Sequence, residues 1–371
     1  MKHLFGVFTI FYLFFLAKCA LSDHPSVAPY IDIVMGKPKL IDVYKATGQN
    51  AFTLAFVLGS GCNPKWGGIS DLDDPEIIKN IRDFQAVNGT VIVATGGALG
   101  PYLENSCSTV DSLTKAYMKI LDTIKTNHID IDIEASVPVD IVTKSLAKVK
   151  RQREGTTVSF TLMVQGDDYG LTPTLGVEVL KKAKENGLEV DMVNPMTMEF
   201  GSNMPTWGEA VISASKATLA QMKNVWPEKS DAELRKMLGV TPMIGRNFNR
   251  KIFSISDAKL LIDWAAANAI GMLAFWSVGR DNGGCPGGGV SPTCSSIAQS
   301  EYEFTKLFKT FEEKKASSPG PSNPEVATIG PEPIQTSKPA GKECRGKKEG
   351  FDKWCKDNCP RNFCPEEFCI C

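Results

Sequence analysis

From about residue 27 to 313 the chain alternates short apolar runs with longer stretches whose apolar positions recur at helical spacing. The runs APYIDIVM, FTLAFVL, TVIVATGG, IDIDIE, TVSFTLMV, VDMVNPMTM, VTPMIG and MLAFWSV read as strands. Between them DPEIIKNIRDFQ, TVDSLTKAYMKILDTIK, GVEVLKKAKEN, EAVISASKATLAQMKNV and SDAKLLIDWAAANA read as helices. Several of these open on Asp or Ser, whose side chains cap the free N–H groups of a first turn. Strands alternating with helices imply a parallel sheet. Eight such units in about 300 residues predict an α/β fold of the (β/α)8 TIM-barrel type. A doubly wound open sheet is the rival, but no Gly-rich dinucleotide fingerprint follows the first strand.

The fourth run departs from the others. Asp130, Asp132 and Glu134 alternate with Ile129, Ile131 and Ile133, so on a strand the three acids share one face and the isoleucines the other. Burying carboxylates without partners is costly, and like charges in contact push at least one pKa upward. In a barrel of this type the active site lies at the C-terminal ends of the strands. Glu134 falls at the end of the fourth strand, with Asp132 and Asp130 progressively deeper. The rival reading, the solvent face of an exposed edge strand, loses ground to the eight βα units around the motif.

The flanks change the picture. Residues 1–22, MKHLFGVFTIFYLFFLAKCALS, carry a basic residue, an apolar run and then small residues, the pattern of a secretory signal peptide. Cleavage after Ser22 is expected, with Ala20 as a rival site and an uncleaved anchor as the alternative. The barrel domain is expected over 23–313. Residues 314–342 are rich in Pro, Ser, Gly and Thr and read as a linker. Residues 343–371 hold six cysteines in a module too small for a core without staples. Once Cys19 leaves with the signal, ten of the eleven cysteines remain, four in the body and six in the tail. Even numbers in both groups suit disulfides in an oxidising compartment better than a metal site, and the three histidines lie outside the tail. Sequence order suggests Cys62–Cys107 and Cys285–Cys294. The protein is therefore expected to be secreted and extracellular. Composition is ordinary, 43% hydrophobic and 22% charged. A formal net charge of −1 points to neither nucleic acid nor a membrane surface as partner. No metal or organic cofactor is implied, and nothing demands an oligomer, so a monomer is expected.

IDIDIE resembles the acidic strand-four signature of family 18 glycoside hydrolases, the chitinase family. TLAFVLGSGCNPKWGG, VIVATGG, VNPMTMEFG, GVTPMIGRN and FWSVGRD are similar, in order, to strands two, three, six, seven and eight of one secreted, microbial-type branch of it. The resemblance covers about Val27 to Phe311. It implies a secreted chitinase that hydrolyses β-1,4 bonds between N-acetylglucosamine units by a retaining, substrate-assisted route. Glu134 is then the general acid and base, Asp132 orients the acetamido nitrogen, and Asp130 shares a proton with Asp132. It further implies Tyr30, Met196, Glu199, Phe200, Asn247 and Trp276 as substrate-binding residues, with Trp276 the floor on which the sugar stacks. Buried core is the rival reading of Trp276 and an equal one for Met196. Trp66 is either a more distant stacking platform or loop packing beside Cys62. The expected partners are chitin and chitooligosaccharides.

Three positions depart from that branch. Phe200 replaces a tyrosine whose hydroxyl supports the attacking acetamido oxygen, Phe248 replaces an aspartate, and Ala94 stands where serine is common. These motivate a second reading, a weak or inactive chitin-binding, lectin-like protein on a chitinase barrel. An endo-β-N-acetylglucosaminidase acting on glycoproteins shares the strand-four motif and is a third. In the tail, WC-x2-NC…CP-x3-C-x-C looks similar to cysteine-rich tails on some arthropod chitin-active oxidases. It places Trp354, Phe363 and Phe368 either as a chitin-binding face, with Trp354 stacking on sugar, or as the module's own small core.

Overall fold

The structure, a computed structural model, describes residues 24–317 and the backbone of one two-rung antiparallel pairing, Arg345–Gly346 with Cys369–Ile370. The expected signal segment, most of the expected linker and Trp354 with most of the tail lie outside the described residues.

In chain order the elements are β1 (Tyr30–Asp32), α1 (Leu40–Thr47), β2 (Ala51–Gly59), β3 (Pro64–Trp66), β4 (Ser70–Asp71), α2 (Pro75–Gln85), β5 (Thr90–Gly96), α3 (Leu103–Ser106), α4 (Val110–Ile124) and β6 (His128–Ile133). There follow α5 (Val139–Gln152), β7 (Thr157–Gly166), β8 (Gly170–Leu171), α6 (Glu178–Glu185), β9 (Met192–Met196), α7 (Trp207–Val225) and α8 (Asp231–Met237). The last are β10 (Gly239–Val240), β11 (Gly245–Arg246), β12 (Ile252–Phe253), α9 (Ile255–Ala267), β13 (Met272–Leu273) and α10 (Glu303–Ser317). The final helix thus continues past the expected boundary at 313. Its N-terminus is secured by buried Asp281, which accepts from the backbone N–H of Phe304 (3.0 Å) and Thr305 (2.7 Å).

The result is a mixed α/β fold around a central sheet of parallel strands. β1, β2, β5, β6, β7 and β9 pair side by side, all parallel. β10 pairs with β13 in parallel, and isolated parallel bridges join Val193 to Leu238, Met196 to Thr241, Met243 to Trp276 and Val27 to Leu273. β3 and β4 form an antiparallel excursion from the end of β2, and the Cys62–Cys107 disulfide ties that excursion to the residue after α3. A second disulfide joins Cys285 to Cys294.

Local chemistry explains the helix starts. The Asp74 side chain accepts from Glu76 and Ile77 N–H, and Pro75 occupies the first turn where no N–H is needed. Thr109, Thr206, Ser230 and Ser254 each close a reciprocal capping box with the residue three further on. Helix faces and one face of the sheet fuse into a single large apolar cluster that includes Ile129, Ile131 and Ile133. The opposite face of the sheet has a smaller cluster of compact residues, among them Ala28, Ala51, Ala55, Ala94 and Ala274. That second face carries the acids.

Candidate active site

All six residues of β6 are buried, which is the mark of a strand covered on both faces. Its register fixes what the acids meet. Asp130 lies opposite Ala94 on β5 and Ser159 on β7, and Asp132 opposite Gly96 and Thr161. Because side chains alternate, these partners project from the same face as the carboxylates.

Asp130 is buried and well supplied with donors. Tyr30 Oη donates to it at 2.8 Å, Ser159 Oγ at 2.5 Å and Thr161 Oγ1 at 2.9 and 3.0 Å to the two carboxyl oxygens. The chain of hydrogen bonds continues across the sheet. Asn194 Nδ2 on β9 donates to Thr161 Oγ1 at 3.0 Å, and Thr241 Oγ1 donates to Asn194 Oδ1 at 2.8 Å. Ser159 and Tyr30 thus supply donors on this face where Ala94 has none. Burial raises the Asp130 pKa to about 6, and these hydrogen bonds hold it from going higher.

Asp132 has no such support. Its Oδ1 is buried without a hydrogen-bond partner among the described residues. Burial, then the neighbouring charges of Glu134 and Asp130, push its pKa well above the ordinary value. Glu134 follows immediately after β6 and is half-buried. Burial lifts its carboxyl to about 7. Near neutral pH the deepest acid is the ionised one, and burial beside two like charges disfavours charge on Asp132. Glu134 is then poised between its two forms, as a group that must both give and take a proton requires.

Aromatic rings border the acids. Trp276, half-buried, stacks on Phe56 with ring centroids 5.8 Å apart and planes inclined 19°. The Tyr30 ring lies 6.2 Å from Trp276 and 6.3 Å from Phe56. Met196 at the end of β9 is buried on the same sheet face as Met192 and Asn194. Tyr30 thus acts on Asp130 itself, Trp276 lies against Tyr30, and Met196 shares the sheet face of the acids.

The other expected contacts are placed differently. Phe200 is 1% exposed and packs on Trp207 with centroids 4.6 Å apart, so it belongs to the apolar cluster and presents no face to a ligand. The partly exposed side chains that follow β9 are Met198 and Glu199. Both Glu199 carboxyl oxygens accept backbone N–H bonds at 2.8 Å, from Phe248 and Asn249. The loop whose aspartate is replaced by Phe248 is held in this way, and the Phe248 ring is 55% exposed. Asn247 is buried and spends its amide on Met243 O (2.9 Å) and Gly245 O (3.0 Å). Trp66 is fully buried and donates to Leu72 O, which settles its two readings in favour of loop packing. Phe200→Tyr, which the family pattern suggests as a restoring change, delivers its hydroxyl into a packed core. It is expected to lower stability by about 1–2 kcal/mol without raising turnover. A thermal melt beside an activity assay checks this, and a gain in turnover would contradict the buried placement.

Several functional residues escaped the sequence reading. Ser159 and Thr161 were visible in principle, since polar residues at alternate positions of TVSFTLMV mark a polar inner face, and Asn194 is a single polar residue between Met192 and Met196 on its strand face. Phe56 and Tyr102 carry no local signal. Tyr102 is buried, and its hydroxyl meets the backbone of Glu134.

No family model matches the chain. It is 33% identical over 309 residues to the "Probable bifunctional chitinase/lysozyme" of Escherichia coli (strain K12), covering 76% of this chain and 34% of that protein. It is 33% identical over 272 residues to Endochitinase 11 of Metarhizium anisopliae, covering 68% of this chain and 52% of that protein. The chain thus spans about a third and about half the length of these curated relatives. It is also similar to active domain 2 of the thermostable chitinase from Pyrococcus furiosus, whose catalytic-site mutants are complexed with chito-oligosaccharides. There the identity is 37% and the TM-score 0.72, covering 77% of this chain and 94% of that one.

Proposed function

The chain belongs to the chitinases of glycoside hydrolase family 18, and from that premise we propose that it is a secreted chitinase acting with retention of configuration. Glu134 donates its proton to the glycosidic oxygen as the bond to the anomeric carbon breaks. The acetamido oxygen of the same sugar forms the new bond to that carbon, giving an oxazolinium intermediate. Asp132 holds the acetamido nitrogen and shares the positive charge that develops there. Water then attacks the anomeric carbon, Glu134 takes its proton back, and the ring opens to the product. Trp276 and Phe56 offer an apolar floor for the pyranose.

The observation that carries this reading is the acidic strand itself, with Asp130 and Asp132 on one buried sheet face leading to Glu134 at its end; burial there raises the Glu134 carboxyl. The similarity to a domain complexed with chito-oligosaccharides supports chitin and its oligomers as substrate. In this reading the strands close into a (β/α)8 barrel, which the parallel bridges from β9 through β13 to Val27 support. Secretion is supported by the apolar leader, and the N-terminal residue of protein recovered from the medium, Asp23 or Leu21, tests it.

The enzymatic claim is tested by hydrolysis of soluble chitin oligosaccharides as a function of pH. The protonated form of Glu134 is present below its pKa and lost above it. The kcat/KM profile is therefore expected to fall as pH rises through about 7. The first product, followed by NMR, is expected to be the β-anomer. Absence of turnover at every pH would sink the enzyme reading, and an α-anomer would sink retention.

A further inference from the structure

Where β5 and β6 part, their ladder of hydrogen bonds is altered by one side chain. Gly97 N–H donates to Asp132 O at 3.0 Å. In a parallel pair the following bond runs from the residue two further along, here Glu134 N–H, back to Gly97 O. That place is taken by a phenol. Tyr102 Oη donates to Gly97 O at 2.5 Å and accepts from Glu134 N–H at 3.0 Å. One hydroxyl thus completes the rung while keeping the two strand ends apart at Glu134.

Tyr102 is itself held firmly. Its carbonyl accepts from Ser106 Oγ at 2.7 Å. Within α3, Glu104 is fully buried and accepts from Thr95 Oγ1 of β5 (2.6 Å) and Tyr117 Oη of α4 (2.9 Å). Asn105 Nδ2 donates to Ser136 O, in the loop that follows Glu134, at 3.0 Å. Cys107 closes the segment through its disulfide to Cys62. Burial raises the Tyr102 phenol well above its ordinary range, so the hydroxyl keeps its proton and its donor role at any working pH.

We propose that Tyr102 is a positioning residue for the catalytic acid: its hydroxyl, spliced into the last rung between β5 and β6, sets where the Glu134 carboxyl stands relative to Asp132. The proposal rests on the role given to Glu134 above. Tyr102→Phe removes the bridge and leaves two backbone groups, the buried Gly97 O and the part-buried Glu134 N–H, without this partner. A direct rung or an entering water then replaces it, and either outcome shifts Glu134.

The test is Tyr102→Phe beside Tyr117→Phe, which loosens α3 without touching the rung. For Tyr102→Phe, kcat is expected to fall about 10- to 100-fold with KM within about two-fold of the parent. The 13C-detected titration of the Glu134 carboxyl is expected to move toward an ordinary carboxyl value. Tyr117→Phe is expected to lower the melting temperature and leave that titration in place. A Tyr102→Phe enzyme with kcat within two-fold of the parent, or with an unshifted Glu134 titration, overturns the proposal. So does Tyr117→Phe moving the titration equally, since α3 packing would then be the cause. Failure of the parent protein to hydrolyse chitin would count against the chitinase reading alone, because the titration still reports whether Tyr102 places Glu134.

Discussion

Glu134→Gln is expected to lower kcat on chitooligosaccharides by about 10³–10⁴-fold while KM stays within about three-fold. The amide fits the same space, so binding to the aromatic floor and to Asp132 survives. What is lost is the proton delivered to the leaving oxygen and the base that later takes one from water, so both halves of the reaction suffer. Stability should move the other way, with a definite pH window. The folded protein raises Glu134 from 4.5 to about 7, so the ionised form is disfavoured by folding above pH 7. That cost is relieved as pH falls through about 7 toward 4.5. The Gln variant carries no such cost and should gain on the parent between those values, by about 1–3 kcal/mol at the alkaline end. Lost turnover with equal or greater alkaline stability assigns chemistry to Glu134. Unchanged turnover would remove it from the mechanism, and a stability loss at every pH would show that the variant merely misfolds.

Gly96→Ala is expected to cost more than about 4 kcal/mol, lowering the melting temperature by about 10 °C or abolishing soluble expression. Gly96 has φ +86°, and a Cβ built there would lie 1.9 Å from the carbonyl oxygen of Asp132. The obstructing atom is backbone, so no rotamer change relieves the clash. β5 would have to withdraw from β6 at the residue that carries the second acid. Activity should therefore vanish along with stability. An alanine variant melting within about 2 °C of the parent would show that the two strands are not so closely joined.

The acidic strand could be read from sequence because period-two alternation is a direct consequence of pleating, and IDIDIE states it without ambiguity. The helix starts were equally legible, since Asp74 and Ser254 act within a few residues of their own position. Trp276 was expected at the site from the family pattern, and its ring lies 6.2 Å from that of Tyr30. Phe200 was not legible. Whether a strand-end ring turns inward to a ligand or outward to Trp207 depends on α7, a partner that follows several residues later. Tyr102 was hidden for a related reason: a side chain completing the main-chain ladder of two other segments leaves no periodicity, spacing or composition to detect. The excursion β3–β4 was likewise missed, because its short strands acquire meaning only through the Cys62–Cys107 link.

The line of side chains from Thr241 through Asn194 and Thr161 to Asp130 has a bearing on how this sequence can drift. The two middle members, Asn194 and Thr161, both give and receive, so a change at Thr241, three strands away, is felt as an altered orientation of Asn194 before it reaches the acid. Substitutions along the line should therefore be tolerated in compensating sets and rejected singly, and a survey of one-residue variants would underrate the alternatives open to this protein.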